Sequence, residues 1–351
     1  IPYTASVYNG LSRLFGMAFG LPYEVCVIGM AVITCLYVVL GGYMATVMND
    51  FLQGIVMLFG IVAVITAVIL NNGGFSEAIT TLSQIPAEGS QMAGPFVSMF
   101  GPDLFNLLGV VVLTSLGTWG LPQMVQKFYA IKSGPAVKQG AIISTLFAFV
   151  VAGGSYFLGG FGRLYADKIE IGPTGIPVYD SIIPTMLSTL PDILIGIVIV
   201  LVLSASMSTL SSLVLTSSST LTLDLLQGNV VKKMSEQSKL GWMRVLIVVF
   251  IIVSAALALV QYNSSITFIA QLMGISWGAL AGAFLGPFLW GLYSGRISKA
   301  AVWCSFIVGV CLTSGNMVLT LMGTPLIASP INCGALAMLL SVSCATLAAG
   351  D

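Results

Sequence analysis

Long runs of apolar residues, separated by short polar stretches, organise the whole chain. No charged residue falls between Glu24 and Asp50, or between Asp192 and Asp224, and similar gaps recur to the end of the sequence. A membrane-crossing helix needs about 20 residues that are mostly apolar, so each gap is long enough to hold one. The pattern predicts a partial helix and nine full spans, at about 3–19, 24–43, 50–71, 104–128, 137–161, 191–226, 241–262, 264–293, 299–322 and 333–350.

Composition supports the membrane interpretation. Of the 351 residues, 57% are apolar and only 7% are charged, whereas about 25% of the residues in a soluble domain are charged. Such a chain lacks the polar surface that a soluble globule needs. We therefore predict an all-α polytopic membrane protein, 1–351 forming a single transmembrane domain that contacts the lipid bilayer. Because the sequence begins at Ile1 without a methionine, we expect it to be an N-terminally truncated fragment.

Several functional classes are disfavoured by the same numbers. The net charge is zero and no basic cluster exceeds three residues, so we expect no nucleic-acid partner. The chain has no histidine, which removes most zinc sites, haem ligation and Ser-His or Cys-His catalysis. Without clustered carboxylates as well, an enzyme is the weakest interpretation.

The positions of lysine and arginine predict the orientation in the membrane. Nine of the twelve cations fall in three short connections, which the span count puts on one side. Cytoplasmic loops carry an excess of these residues. We therefore assign to the cytoplasm the connections 127–138, 227–244 and 294–299.

Two longer segments, 72–103 and 162–190, then become external loops. The second holds a possible short amphipathic helix at 178–189. Both segments could cover an external vestibule, and flexible surface loops are an equally good interpretation.

Hydroxyl side chains are concentrated near the end of the span at 191–226. Twelve of the nineteen residues from Ser204 to Thr222 are Ser or Thr. On a helix, one face carries Ala205, Ser208, Thr209 and Ser212, with Ser211 beside it. Hydroxyl and carbonyl oxygens suit a small hard cation such as Na⁺. Close packing of transmembrane helices through small residues is the alternative.

A possible helix break lies inside the span at 104–128. Gly117, Gly120 and Pro122 fall within six residues, and proline removes one intrahelical hydrogen bond. Transporters use unwound helices near the membrane midplane as substrate sites. Trp119 and Gln123 could then stack on a solute and hydrogen-bond to it. A simple proline kink is the alternative.

Asp50 is a lone acid at the predicted start of the span 50–71. An acid at a helix N-terminus is favoured by the helix dipole, which makes a capping role the simpler interpretation. The alternative is a cation ligand, since acids inside membranes usually face a polar path.

Three segments resemble motifs of the sodium/solute symporter family, whose members carry proline, pantothenate, sialic acid and sugars. They are GGYMATVMNDFLQGIVM, LGTWGLPQMVQKFYAIKS and LSASMSTLSSLVLTSSSTLTLDL, the last being the most specific. In the second, Lys127 replaces the arginine usual in the family. The order and spacing of the segments fit over nearly the whole chain.

The resemblance implies an inverted-repeat helical bundle of the LeuT type, here lacking the first core helices. The spans 50–71, 104–128, 191–226 and 264–293 would be its fifth, sixth, eighth and tenth core helices. It also implies a multi-pass protein of the cell membrane that couples Na⁺ to the uptake of a small polar solute. A symporter-like sensor domain of a signalling protein is the alternative.

The resemblance implies site residues as well. A sodium site shared across the family would take the Ala205 carbonyl with the Ser208 and Thr209 hydroxyls. A second sodium site would use Asp50, Ser208, Ser211 and Ser212. Solute contacts would fall at Thr118, Trp119, Pro122 and Gln123, and an outer gate near Phe268 and Gln271. The solute itself cannot be read from the residues.

Overall fold

The structure, a computed structural model, describes residues 1–87, 92–128, 131, 133–171, 177–231, 233–262, 269–294 and 297–347. Its regular elements there are helices, with one isolated antiparallel bridge between Ile171 and Pro177. The all-α prediction is therefore confirmed. The helices are α1 (Pro2–Phe19), α2 (Tyr23–Asn71), α3 (Phe75–Gln84), α4 (Leu104–Gly120), α5 (Pro122–Phe128), α6 (Gly134–Gly160), α7 (Ile182–Leu187), α8 (Asp192–Ser219), α9 (Glu236–Tyr262), α10 (Ile269–Tyr293), α11 (Lys299–Leu321) and α12 (Pro330–Leu347).

Seven helical segments of the described chain are long and apolar enough to cross a membrane. Two shorter apolar helices, Leu104–Gly120 and Pro330–Thr346, correspond to further predicted spans. The seven are Tyr23–Gly42, Ala45–Asn71, Gly134–Lys168, Asp192–Val230, Glu236–Tyr262, Gln271–Tyr293 and Lys299–Leu321.

Helix α2 replaces two predicted spans and the loop between them. It is 49 residues long and contains one non-helical residue, Gly42, with φ 61° and ψ −167°. The charge pattern suggested a loop at 44–49, but those residues continue the helix. A glycine alone produces the bend, because this backbone region is accessible essentially only to glycine.

We expect Gly42→Ala to destabilise the protein, because a Cβ at this φ and ψ costs about 1–3 kcal/mol. Gly29→Ala is the matched control: Gly29 lies in the same helix, and a Cβ there would have nothing within 4 Å. Thermal unfolding of the full-length protein in detergent checks this. Equal unfolding temperatures for the two variants would contradict the hinge role of Gly42.

The two long connections predicted to be external contain short helices. The first, 72–103, includes α3, whose Ala78 and Leu82 are buried. The second has 3₁₀ turns at Phe161–Lys168 and Tyr179–Ser181 and then α7. The predicted helix at 178–189 is thus present, as a 3₁₀ turn followed by α7.

By packing, the chain divides into two compact units. The first holds α1 to α3 and α6 to α9, and α2 is its centre, packing on α6, α8 and α9. The second holds α4, α5 and α10 to α12, with α10 packing on α4, α11 and α12. Small residues make the second unit tight: at the crossing of α10 and α11, Gly282 meets the backbone of Gly309.

Candidate functional site

The hydroxyl-rich part of α8 is helical, and carbonyl oxygens of the same helix accept the hydrogens of its hydroxyls. The Ser208 Oγ and the Thr209 Oγ1 each donate to the carbonyl oxygen of Ala205, at 3.0 Å. Serine and threonine commonly satisfy themselves in this way when they lie inside a helix. An apolar helix can therefore carry many hydroxyls without leaving their hydrogens unpaired.

These bonds bring three oxygen atoms together on one face of α8. Ala205, Ser208 and Thr209 are all half-buried. Because both hydroxyl hydrogens point at the carbonyl, the hydroxyl lone pairs remain available to a ligand on the outer side. The two hydroxyl oxygens are neutral and keep free lone pairs, as a hard cation requires, whereas the Ala205 carbonyl oxygen already accepts from both hydroxyls.

The other predicted ligands on α8 differ from one another in exposure. Ser211 is fully buried, and its hydroxyl donates to the Ser208 carbonyl at 3.0 Å, whereas Ser212 is half-buried. Tyr37 of α2 reaches this region from the neighbouring helix. Its hydroxyl donates to the Met207 carbonyl at 2.8 Å and has the Ser211 hydroxyl as a hydrogen-bonding neighbour.

Asp50 lies inside α2, eight residues beyond Gly42, and is half-buried. The interpretation of Asp50 as a helix cap is therefore wrong, since the helix does not begin there. Tyr37 lies on the same helix as Asp50 and contacts Ser211 of α8. Tyr37 thus connects the helix that carries Asp50 to α8, since α2 and α8 pack on each other.

Gln53 lies on the same face of α2, three residues after Asp50. It is 8% exposed, and its Oε1 has no hydrogen-bond partner in the described chain. A buried oxygen without a donor costs free energy unless water or an ion satisfies it. Gln53 therefore has a buried oxygen with unused hydrogen-bonding capacity.

The predicted helix break is present and is short. Helix α4 ends at Gly120, Leu121 is extended with ψ 119°, and α5 begins at Pro122. Leu121 is fully buried, so one apolar side chain anchors the break within its unit. The helix runs unbroken through Gly117, where the sequence had allowed unwinding.

The four predicted solute contacts surround this break but differ in burial. Thr118 is half-buried and bonds to the Ser115 carbonyl at 3.1 Å, and Pro122 is also half-buried. Trp119 is 52% exposed on its unit, whereas Gln123 is 7% exposed. Of the two gate residues, Gln271 is half-buried near the start of α10, and Phe268 lies outside the described residues.

Two polar residues of the first unit, Tyr37 and Arg13, were missed at the level of sequence. Tyr37 lies in a long apolar run, and nothing in the pattern distinguishes it from a lipid-facing tyrosine. Arg13 had a signal, because it is the single charged residue of a predicted membrane helix, and such residues usually mark polar paths.

The seven apolar helices of membrane-crossing length place the chain in the class of polytopic helical membrane proteins. The sequence model of the sodium:solute symporter family matches residues 2–309, and the chain belongs to that family. It is a multi-pass protein of the cell membrane with the LeuT-type fold, as predicted.

Individual relatives agree with this assignment. The sodium/pantothenate symporter of Escherichia coli is 30% identical over 308 residues, which cover 86% of this chain and 60% of the relative. The osmoregulated proline transporter OpuE of Bacillus subtilis is 27% identical, with 88% and 60% covered. This chain thus spans about three fifths of the length of these relatives.

The fold also matches a solved structure, a Na⁺-coupled sialic acid symporter in a substrate-bound, outward-open state. The TM-score is 0.69 at 19% sequence identity, covering 99% of this chain and 71% of the other. These relatives and this neighbour are transporters, not enzymes.

Proposed function

We propose that the full-length protein is a sodium-coupled symporter that carries a small polar organic solute into the cell. The observation that carries the proposal is the oxygen cluster on α8. There, the hydroxyls of Ser208 and Thr209 each lie 3.0 Å from the Ala205 carbonyl oxygen. Membership of the sodium:solute symporter family supports Na⁺ as the coupled ion.

In the proposed sodium site, Ala205, Ser208 and Thr209 supply three neutral oxygens. The ion would take the remaining ligands from parts of the protein outside this helix. A second ion is proposed at Asp50, Ser208, Ser211 and Ser212. Gln53, three residues after Asp50 on α2, supports it, because its buried Oε1 has no hydrogen-bond partner in the described chain.

The solute is proposed to bind at the break between α4 and α5. Thr118, Trp119, Pro122 and Gln123 surround Leu121, where the backbone leaves the helix. The relatives named above carry pantothenate or proline. A compact polar solute of this kind fits a site built from a hydroxyl, an indole, an amide and helix ends.

Coupling follows from differential affinity. Na⁺ and solute can drive a conformational change only by binding one state better than the other. The ion gradient provides the free energy, about 2.3 kcal/mol per charge per 100 mV from voltage alone.

Uptake into proteoliposomes tests the proposal. The full-length protein is reconstituted, and labelled proline, pantothenate, sialic acid and several sugars are screened with an inward Na⁺ gradient. Uptake of one solute that fails when K⁺ replaces Na⁺ is the expected result. A lack of Na⁺-dependent uptake of every solute, with no protection by Na⁺ against thermal unfolding, would overturn the proposal.

A further inference from the structure

A cavity of about 510 Å³ lies in the first unit, away from the α8 oxygens. It is bounded by the end of α1, the starts of α2 and α7, and the end of α9. Its volume is in the range of small-molecule sites. The charge pattern predicts that this end of the helices faces the outside of the cell.

Arg13 is the cation of this cavity, and it is incompletely satisfied. Its side chain is 11% exposed, and its Nε donates to the Asn9 Oδ1 at 3.0 Å. Its Nη1 lies 3.6 Å from the Glu170 Oε2, which is longer than the 2.7–2.9 Å of a charge-assisted hydrogen bond. In the described chain these are the polar contacts of a group with five donors. The guanidinium therefore keeps capacity for a carboxylate.

Two tyrosines form a rigid wall beside Arg13. The rings of Tyr23 and Tyr262 are stacked, 4.2 Å apart at 9°, and the Tyr23 hydroxyl donates to the Ala258 carbonyl at 3.2 Å. The Arg13 Cζ lies 5.8 and 5.5 Å from the two ring centroids. The guanidinium is thus held in place whether or not Glu170 pairs with it.

Ser12 adds a polar group to the same wall. It is fully buried, and in the described chain its hydroxyl has no hydrogen-bond partner. Ser12 is one of the residues around the cavity, and its hydroxyl has capacity for a further hydrogen bond. An unpartnered hydroxyl next to an under-satisfied guanidinium is an unusual pair inside a protein.

The acidic side chains near Arg13 determine which ligand charge the cavity favours. Glu170 lines the cavity with its side chain 60% exposed, and the Asp180 Oδ2 accepts from the Asn9 Nδ2 at 3.2 Å. A simple anion would be attracted by Arg13 and repelled by both acids. A simple cation would be attracted by both acids and repelled by Arg13. A molecule that carries both charges satisfies Arg13 and Glu170 together.

We propose that this cavity binds a small zwitterion, with its carboxylate on Arg13 and its cationic nitrogen beside Glu170. The ligand carboxylate would take the place of Glu170 at the guanidinium. No predicted sodium ligand lines the cavity, so binding here needs no Na⁺ and does not rest on the proposed function.

The test uses the full-length protein in detergent, with K⁺ and no Na⁺. Binding is measured by saturation-transfer NMR with L-proline as the zwitterion, propionate as the carboxylate alone and L-proline methyl ester as the cation alone. We expect saturable binding of L-proline, with Arg13→Gln weakening it about tenfold or more. Arg163→Gln is the matched control: Arg163 also lies against an aromatic ring, 4.5 Å from the Phe96 centroid, but does not line the cavity.

Glu170→Gln keeps the test valid if Arg13→Gln fails to fold, because this side chain is largely exposed. This change should weaken the binding of L-proline, because it removes the partner of the cationic nitrogen. It should strengthen the binding of propionate, because Glu170 no longer competes with the propionate carboxylate for Arg13. Absence of saturable L-proline binding, or equal effects of Arg13→Gln and Arg163→Gln, overturns the proposal. Propionate binding as tightly as L-proline overturns the zwitterion assignment.

Uptake measured in parallel separates this proposal from the transport function. Na⁺-dependent uptake without Arg13-dependent binding in K⁺ would refute the zwitterion site and would be consistent with the symporter function. Arg13-dependent binding without Na⁺-dependent uptake of any solute would support the zwitterion site and refute the symporter function.

Discussion

In the full-length protein, Ser208→Ala and Thr209→Ala should each raise the Na⁺ concentration that gives half-maximal uptake, by about tenfold or more. Each change removes one of the three oxygens proposed to hold the ion. The fold should tolerate it, because Ala205 keeps the other hydroxyl as a donor. The measurement is initial uptake rate against Na⁺ concentration in proteoliposomes.

Ser206→Ala is the control for both variants. Ser206 lies on the same helix and is buried, but it is about 100° around the axis from Ala205. Its replacement should leave the Na⁺ dependence unchanged. If Ser208→Ala and Thr209→Ala behave like Ser206→Ala, the α8 oxygens do not bind the coupled ion.

The second large effect should come from Gly309→Ala, which we expect to lower the unfolding temperature of the protein. A Cβ at this position would fall on the backbone carbon of Gly282, so α10 and α11 would have to separate. Overpacking in a tight core costs about 1–3 kcal/mol, and a backbone obstacle cannot rotate away. Thermal unfolding of the full-length protein in detergent measures the loss.

Gly315→Ala provides a matched comparison within α11. A Cβ on Gly315 would have nothing within 4 Å. Replacing glycine by alanine inside a helix gains up to about 1 kcal/mol where there is space. The two variants should therefore shift the unfolding temperature in opposite directions. A shift of the same sign and size in both would show that the close crossing does not limit stability.

Most of the helix positions were predictable because charges are rare and mark the ends of the spans. The bend at Gly42 was not, since a helix that turns at one glycine leaves no polar loop in the sequence. Leu121 shows a similar limit. Gly117, Gly120 and Pro122 indicated a weak helix, but only packing determines which residue leaves it.

Some residues of the candidate sites were likewise predictable from the sequence, and others were not. Ser208 and Thr209 follow from helical periodicity, because both lie on the face that carries Ala205. Tyr37 reaches Met207 and Ser211 from another helix, 170 residues away from Met207 along the chain. A contact of that kind depends on how α2 packs on α8, which a local pattern does not contain.

The bend in α2 has an electrical consequence. If the halves Tyr23–Gly42 and Ala45–Asn71 both cross the membrane, Gly42 marks its edge. Asp50 then lies eight residues further, about 12 Å into a hydrocarbon layer of about 30 Å. A cation that reached Asp50 from the opposite side would cross about 60% of the membrane field, about 1.4 kcal/mol per 100 mV. Filling that position would move charge by itself, so its occupancy would follow the membrane voltage even with no solute present.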